Sequence, residues 1–96
     1  MEPAKRIESH RAEICGLAAR HRAANPRLFG SVLHGCASPD SDFDILVDAL
    51  PGATLFDLGG LQADLEDLLG APVDLLTPQD ISPRFRAKVL AEARLI

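Results

Sequence analysis

The chain has 96 residues, 47% of them hydrophobic and 25% charged, and carries a net charge of −4 at pH 7. That balance belongs to an ordinary globular domain. Its acidity argues against a protein that coats phosphate backbone, and with no Trp, no Tyr and four Phe it lacks the stacking platforms of a single-strand nucleic-acid binder, so no direct nucleic-acid binding is expected. No apolar run approaches the ~18 residues a membrane span needs. Charges interrupt MEPAKRIESHRAEIC before a signal-peptide core can form. A cytoplasmic protein without a membrane contact is therefore expected. Cys15 and Cys36 cannot build a multi-disulfide framework, and no Cys/His spacing suggests a zinc site.

In chain order, residues 3–23 predict a helix, with Pro3 in its first turn and Ile7, Ile14, Leu17 and Ala18 on one stripe. Asn25-Pro26 is read as its end, because the residue before proline avoids helical geometry. Arg27-Leu28-Phe29 is a short strand stopped by Gly30-Ser31. Residues 31–37 predict a brief helix or turn, and Ser38-Pro39-Asp40 is turn chemistry. FDILV, residues 43–47, predicts a buried strand, and Pro51-Gly52 a turn. Leu58, Leu61, Leu65, Leu68 and Leu69 recur at three and four, with Gly70 as a C-cap. A strand over 72–77 (PVDLLT) and a closing helical stretch from Pro78 through Ala93 complete the chain. The expected fold is α/β (α+β): one domain over residues 1–96, with a small mixed β-sheet flanked by helices. So small a domain buries only about 60–65% of its unfolded surface. Its leucine-rich helices leave apolar surface for a partner, so a homo- or hetero-oligomer is expected.

Charge is distributed in blocks. Residues 1–24 hold five Lys/Arg and three Glu; residues 25–70 hold eight Asp/Glu and one base, Arg27; the last 26 hold four bases and three acids. An acidic middle is commonly a solvated face, and it is also where carboxylates hold a cation. The motif region, 27–48, decides between them. Gly30-Ser31 follows a predicted strand, where backbone amides and a hydroxyl reach a phosphate. Ten residues later stands Asp42-Phe43-Asp44. Alternation in an extended chain puts the two carboxylates on one face and Phe43 on the other. Like charges held together repel, and a divalent cation on hard oxygen ligands, magnesium or manganese, offsets that. Asp74 occupies the same kind of position at the start of the next strand; if that strand lies beside FDILV, three carboxylates meet at one edge of the sheet, a common way to hold two metals for phosphoryl transfer.

Gly-Ser, ten residues, then Asp-x-Asp resembles the signature of the DNA polymerase beta-type nucleotidyltransferases. The short chain resembles the minimal, MNT-type members encoded beside HEPN-domain partners. The likeness runs through the leucine helix, PVDLLT and RFRAKVLAEARLI, covering roughly residues 27–96. The resemblance implies a polymerase beta-like fold, with Gly30 and Ser31 holding the triphosphate, Asp42 and Asp44 binding two Mg2+ ions, and Asp74 completing the metal site. It also implies an antitoxin that transfers AMP from ATP to a HEPN toxin, typically onto a tyrosine. The chain has no Tyr and cannot modify itself there. His34 stands where members often carry Arg, and a neutral imidazole contributes less to phosphate binding.

Ordinary readings stand beside these. Each Asp alone is turn chemistry; the combination with Gly30-Ser31 and Asp74 is what a phosphoryl-transfer site needs. Asp40 and Asp48 are read as turn and solvent-facing residues, Cys15 as a small core residue, Cys36 as an incidental thiol, and His10 and His21 as surface or helix-end residues. Arg84, Arg86, Lys88 and Arg94 are read as a solvated helix face. The second functional reading is a non-catalytic antitoxin that blocks a HEPN RNase sterically. Transfer to a small molecule fits the motif but not the length.

Overall fold

Alternation along one strand organises the molecule. In the computed structural model, which describes residues 3–30 and 42–96, Phe43, Ile45 and Val47 are buried on one face of strand β2 (Phe43–Ala49). Helices α1 (Pro3–Ser9), α2 (Arg11–Arg20) and α3 (Leu55–Leu69) supply Ile7, Ile14, Ala18, Leu61, Leu65 and Leu69 to the same hydrophobic cluster. The three leucines recur every fourth residue, which lines them along one stripe of α3. Leu46, also fully buried, lies on the opposite face. FDILV is thus covered on both sides, as a continuous apolar run requires.

Strand order is β3-β2-β1-β4, from β1 (Ala23–Phe29), β3 (Val73–Leu76) and β4 (Arg94–Leu95). β1 pairs antiparallel with β2 and β4, whereas β2 and β3 run parallel, joined by the crossover through α3. A 3-10 turn at Pro78–Asp80 and helix α4 (Pro83–Glu92) connect β3 to β4. Helix α3 begins at a capping box: Asp57 N–H donates to Thr54 Oγ1 at 3.3 Å and Thr54 N–H to Asp57 Oδ2 at 2.8 Å. That backbone hydrogen bond holds the Asp57 carboxyl below its usual range. Gly70, at φ +66°, closes the helix by donating to Glu66 O at 2.8 Å. No helix among the described residues is long and apolar enough to cross a membrane.

Several sequence expectations are corrected. The helix expected over 3–23 is two, broken at His10, whose Nδ1 lies 2.8 Å from Arg6 O. Helical structure ends at Arg20, and Arg22 (φ +57°) turns the chain into β1. Asn25-Pro26 therefore marks not a helix end but a bulge inside a strand: register shifts between Ala24 and Arg27, and Asn25 adopts φ +53°. A bulge tolerates Pro because the ladder bond its missing N–H would make is already interrupted. Cys15 is exposed rather than in the core, its Sγ 3.8 Å from Ile96 O. A fourth strand, two residues long, was too short to carry a periodic signal. Arg86 is not simply solvated: it donates to Pro78 O at 2.7 Å and Ile81 O at 3.1 Å, anchoring α4 on the 3-10 turn. His21 does end α2, and its Nε2 meets Asp64 Oδ2 on α3 at 2.7 Å. Gly60 makes room for that ring, since a Cβ there would lie 3.0 Å from His21 Cε1.

Candidate active site

Parallel pairing of β2 with β3 sets Asp44 directly against Asp74. The preceding pair, Phe43 and Val73, points into the core, so alternation sends both carboxylates to the face away from the helices. Phe43 N–H donates to Pro72 O at 3.0 Å, fixing this register at the mouth of the two strands. Asp44 is half-buried and Asp74 exposed.

On its other side β2 meets β1, where Phe29 stands opposite Asp44 and Gly30 follows at φ +76°. A Cβ built on Gly30 would collide with the Asp44 carboxylate. Only glycine combines that backbone geometry with so close an approach. The carboxylate donors are hard oxygens, which suit a magnesium or manganese ion. Asp42 is exposed just ahead of β2. Register thus brings together two of the three expected carboxylates with Gly30. Among the described residues no three His, Cys, Asp or Glu groups converge closely enough to hold a metal by themselves. Ser31 and His34 lie outside the described residues, as do Cys36 and Asp40.

Sequence reasoning missed a second polar group on the same face. Asp48, read as solvent-facing, accepts two hydrogen bonds from Arg27, Nη2 to Oδ1 at 3.0 Å and Nη1 to Oδ2 at 3.1 Å. Asn25 Nδ2 donates to Asp48 Oδ2 at 2.9 Å. The Arg27 hydrogen bonds, followed by that from Asn25, hold the Asp48 carboxyl below its ordinary value. Arg27 Nε is buried without a partner. The available signal was the block of charge itself, since Arg27 is the one base among eight acids in residues 25–70.

Comparison with known proteins gives this geometry a class. A family model described as a nucleotidyltransferase domain matches residues 16–96. The chain belongs to that family and is a nucleotidyltransferase. It is 34% identical over 87 residues to a protein of Methanocaldococcus jannaschii provisionally named a protein adenylyltransferase, covering 91% of this chain and 94% of the relative. A solved structure provisionally described as a minimal nucleotidyltransferase superposes with a TM-score of 0.87 at 41% identity, over 96% of this chain and 94% of that one. The observed mixed sheet with its helices is the minimal nucleotidyltransferase fold. A crystal structure of a toxin–antitoxin with AMP-PNP shares the fold at a TM-score of 0.72 and 24% identity, over 88% of this chain and 69% of that one.

Proposed function

We propose that the chain transfers AMP from ATP to a hydroxyl, a tyrosine in the first instance, on a HEPN-type toxin and thereby acts in the cytoplasm as its antitoxin. The observation that carries the reading is the register of Asp44 against Asp74, with the Gly30 backbone pressed on the same carboxylate. The name of the M. jannaschii relative supports a protein acceptor, and the toxin–antitoxin neighbour with AMP-PNP supports both a toxin partner and an adenine nucleotide.

In this reading Asp42 and Asp44 hold two Mg2+ ions, with Mn2+ as the alternative, and Asp74 holds one of them. Bound there, the metals would neutralise the triphosphate, lower the pKa of the incoming hydroxyl and stabilise the pyrophosphate that leaves as the bond between the α- and β-phosphates breaks. Gly30 and Ser31 orient the triphosphate through backbone amides and a hydroxyl. Asp74 lies one strand across from Asp44, where its second oxygen aligns the acceptor hydroxyl and receives its proton. Phe43 and Val73, packed below, keep both strands rigid beneath the reacting groups.

The test is label transfer from α-labelled ATP, with Mg2+ and the purified toxin. A labelled toxin band that disappears with Asp42→Ala/Asp44→Ala is the expected result. A folded chain that neutralises its toxin without label, and does so equally well with both Asp replaced, would instead be a steric antitoxin.

A further inference from the structure

The register that builds the site is not the one β1 begins with. Ala23 and Ala24 pair with Ala49 and Asp48; continued without interruption, that pairing would place Leu28 opposite Asp44 and Arg27 opposite Ile45. The bulge at Asn25-Pro26 inserts one residue, and beyond it Arg27 pairs with Leu46, Leu28 with Ile45 and Phe29 with Asp44. A one-residue slip in β1 exchanges its two faces. The bulged register alone sets Leu28 in the core and brings Gly30 onto the Asp44 carboxylate.

One side chain is tied to both sides of that bulge. Asp48 accepts from Asn25 at 2.9 Å, inside the bulge, and from Arg27 at 3.0 and 3.1 Å, immediately after it. Asn25 holds a left-handed φ of +53°, a conformation that Asn adopts more readily than most residues. The bidentate contact fixes the plane of the Arg27 guanidinium as well as its position. Asp48 itself sits four residues along β2 from Asp44, on the same face of the same strand.

We propose that Asp48 is a positioning residue for nucleotidyl transfer: by holding Asn25 and Arg27 across the bulge, it sets the β1 register that brings Gly30 against Asp44. The proposal rests on the transfer reading for its kinetic consequence. Its structural half stands without it.

The experiment measures register and rate together, on Asp48→Ala, Asp48→Asn and Asp48→Glu. Amide NMR reads the cross-strand contacts Phe29–Asp44 and Leu28–Ile45, while kcat and KM for ATP are measured on the purified toxin. In Asp48→Ala the Phe29–Asp44 contact should weaken and Gly30 amide exchange accelerate. Its kcat should fall about tenfold, in keeping with a small misplacement of reacting groups. Asp48→Glu, which keeps the carboxylate, should restore kcat to within about threefold, and Asp48→Asn, which keeps one acceptor oxygen in place, should fall between. Should Asp48→Ala fail to fold, Asp48→Asn and Asp48→Glu carry the comparison. Unchanged contacts with unchanged kcat overturn the proposal, and so does a loss of kcat while the Phe29–Asp44 contact persists. If the native chain labels no toxin, the acceptor reading fails, and the NMR contacts still decide whether Asp48 sets the register.

Discussion

Asp44 and Asp48 are the same residue type, on the same face of the same strand, four residues apart, and they meet opposite surroundings. Asp48 is given a cation by its own chain, Arg27, and an amide donor, Asn25. Asp44 is set in register against another carboxylate, Asp74, with a glycine backbone closing over it. A carboxylate supplied with its own counter-charge holds structure together. One placed opposite a like charge is less stable for it, and a bound cation offsets that repulsion. Within one strand the molecule separates the pair that ties β1 to β2 from the pair proposed to serve the reaction.

The sharpest way to break this contrast is kinetic. Asp44→Ala should lower AMP transfer at least about a hundredfold, because ligands that place a metal on the developing charge contribute several kcal/mol in the transition state. Its fold should survive, as read by far-UV circular dichroism and the urea midpoint. Gly30→Ala should come next. The positive φ and the collision with Asp44 should cost about 1–3 kcal/mol of stability, and the displaced carboxylate should lower transfer about tenfold.

A smaller effect tests the contrast by sign. Asp48→Asn should destabilise the chain by about 1 kcal/mol, since it removes the charge opposing a largely buried guanidinium while solvent screens Asp48 itself. Asp74→Asn should leave stability unchanged or raise it by a few tenths of a kcal/mol, by relieving the repulsion across β2 and β3. Urea unfolding of the two variants in metal-free buffer measures both. Added Mg2+ should raise the melting temperature of the native chain more than that of Asp74→Asn. Destabilisation of equal size by both substitutions would show that the two carboxylates do the same job.

How much of this was legible beforehand follows from where the information lies. Helix α3 and its C-cap were readable because a leucine stripe and Gly70 are local signals, each interpretable within a few residues. FDILV and the third-Asp strand were readable for the same reason, and the family signature then pointed to Gly30, Asp42, Asp44 and Asp74. The bulge was not legible: Asn25-Pro26 ends a helix as plausibly as it interrupts a strand, and only pairing with β2 decides. The Arg27 contact of the solvent-facing Asp48 was missed for a related reason, because the two lie 21 residues apart and meet only when two strands are laid side by side. Arg27 as the solitary base of an acidic block was the clue, and spacing alone could not say which of eight acids it meets.

The finest test turns on pH. Arg27, and after it Asn25, hold the Asp48 carboxyl below its unfolded value of 3.8, so the folded chain binds that proton less readily than the unfolded chain. The resulting stabilisation is present above pH 3.8 and is lost as pH falls through the depressed folded value. Other carboxylates titrate in the same window; Asp57 is lowered by its capping hydrogen bond and also weakens the fold in acid. The informative quantity is therefore the difference in unfolding free energy between the native chain and Asp48→Asn, from which Asp57 cancels. That difference should be constant at neutral pH and shrink once the pH drops below 3.8. High salt should reduce it only modestly, because the contact is bidentate and Arg27 is largely shielded from solvent. A difference that stays flat into acid would mean that Asp48 acts through shape and not through charge, and the opposition between the two halves of β2 would then rest on Asp44 alone.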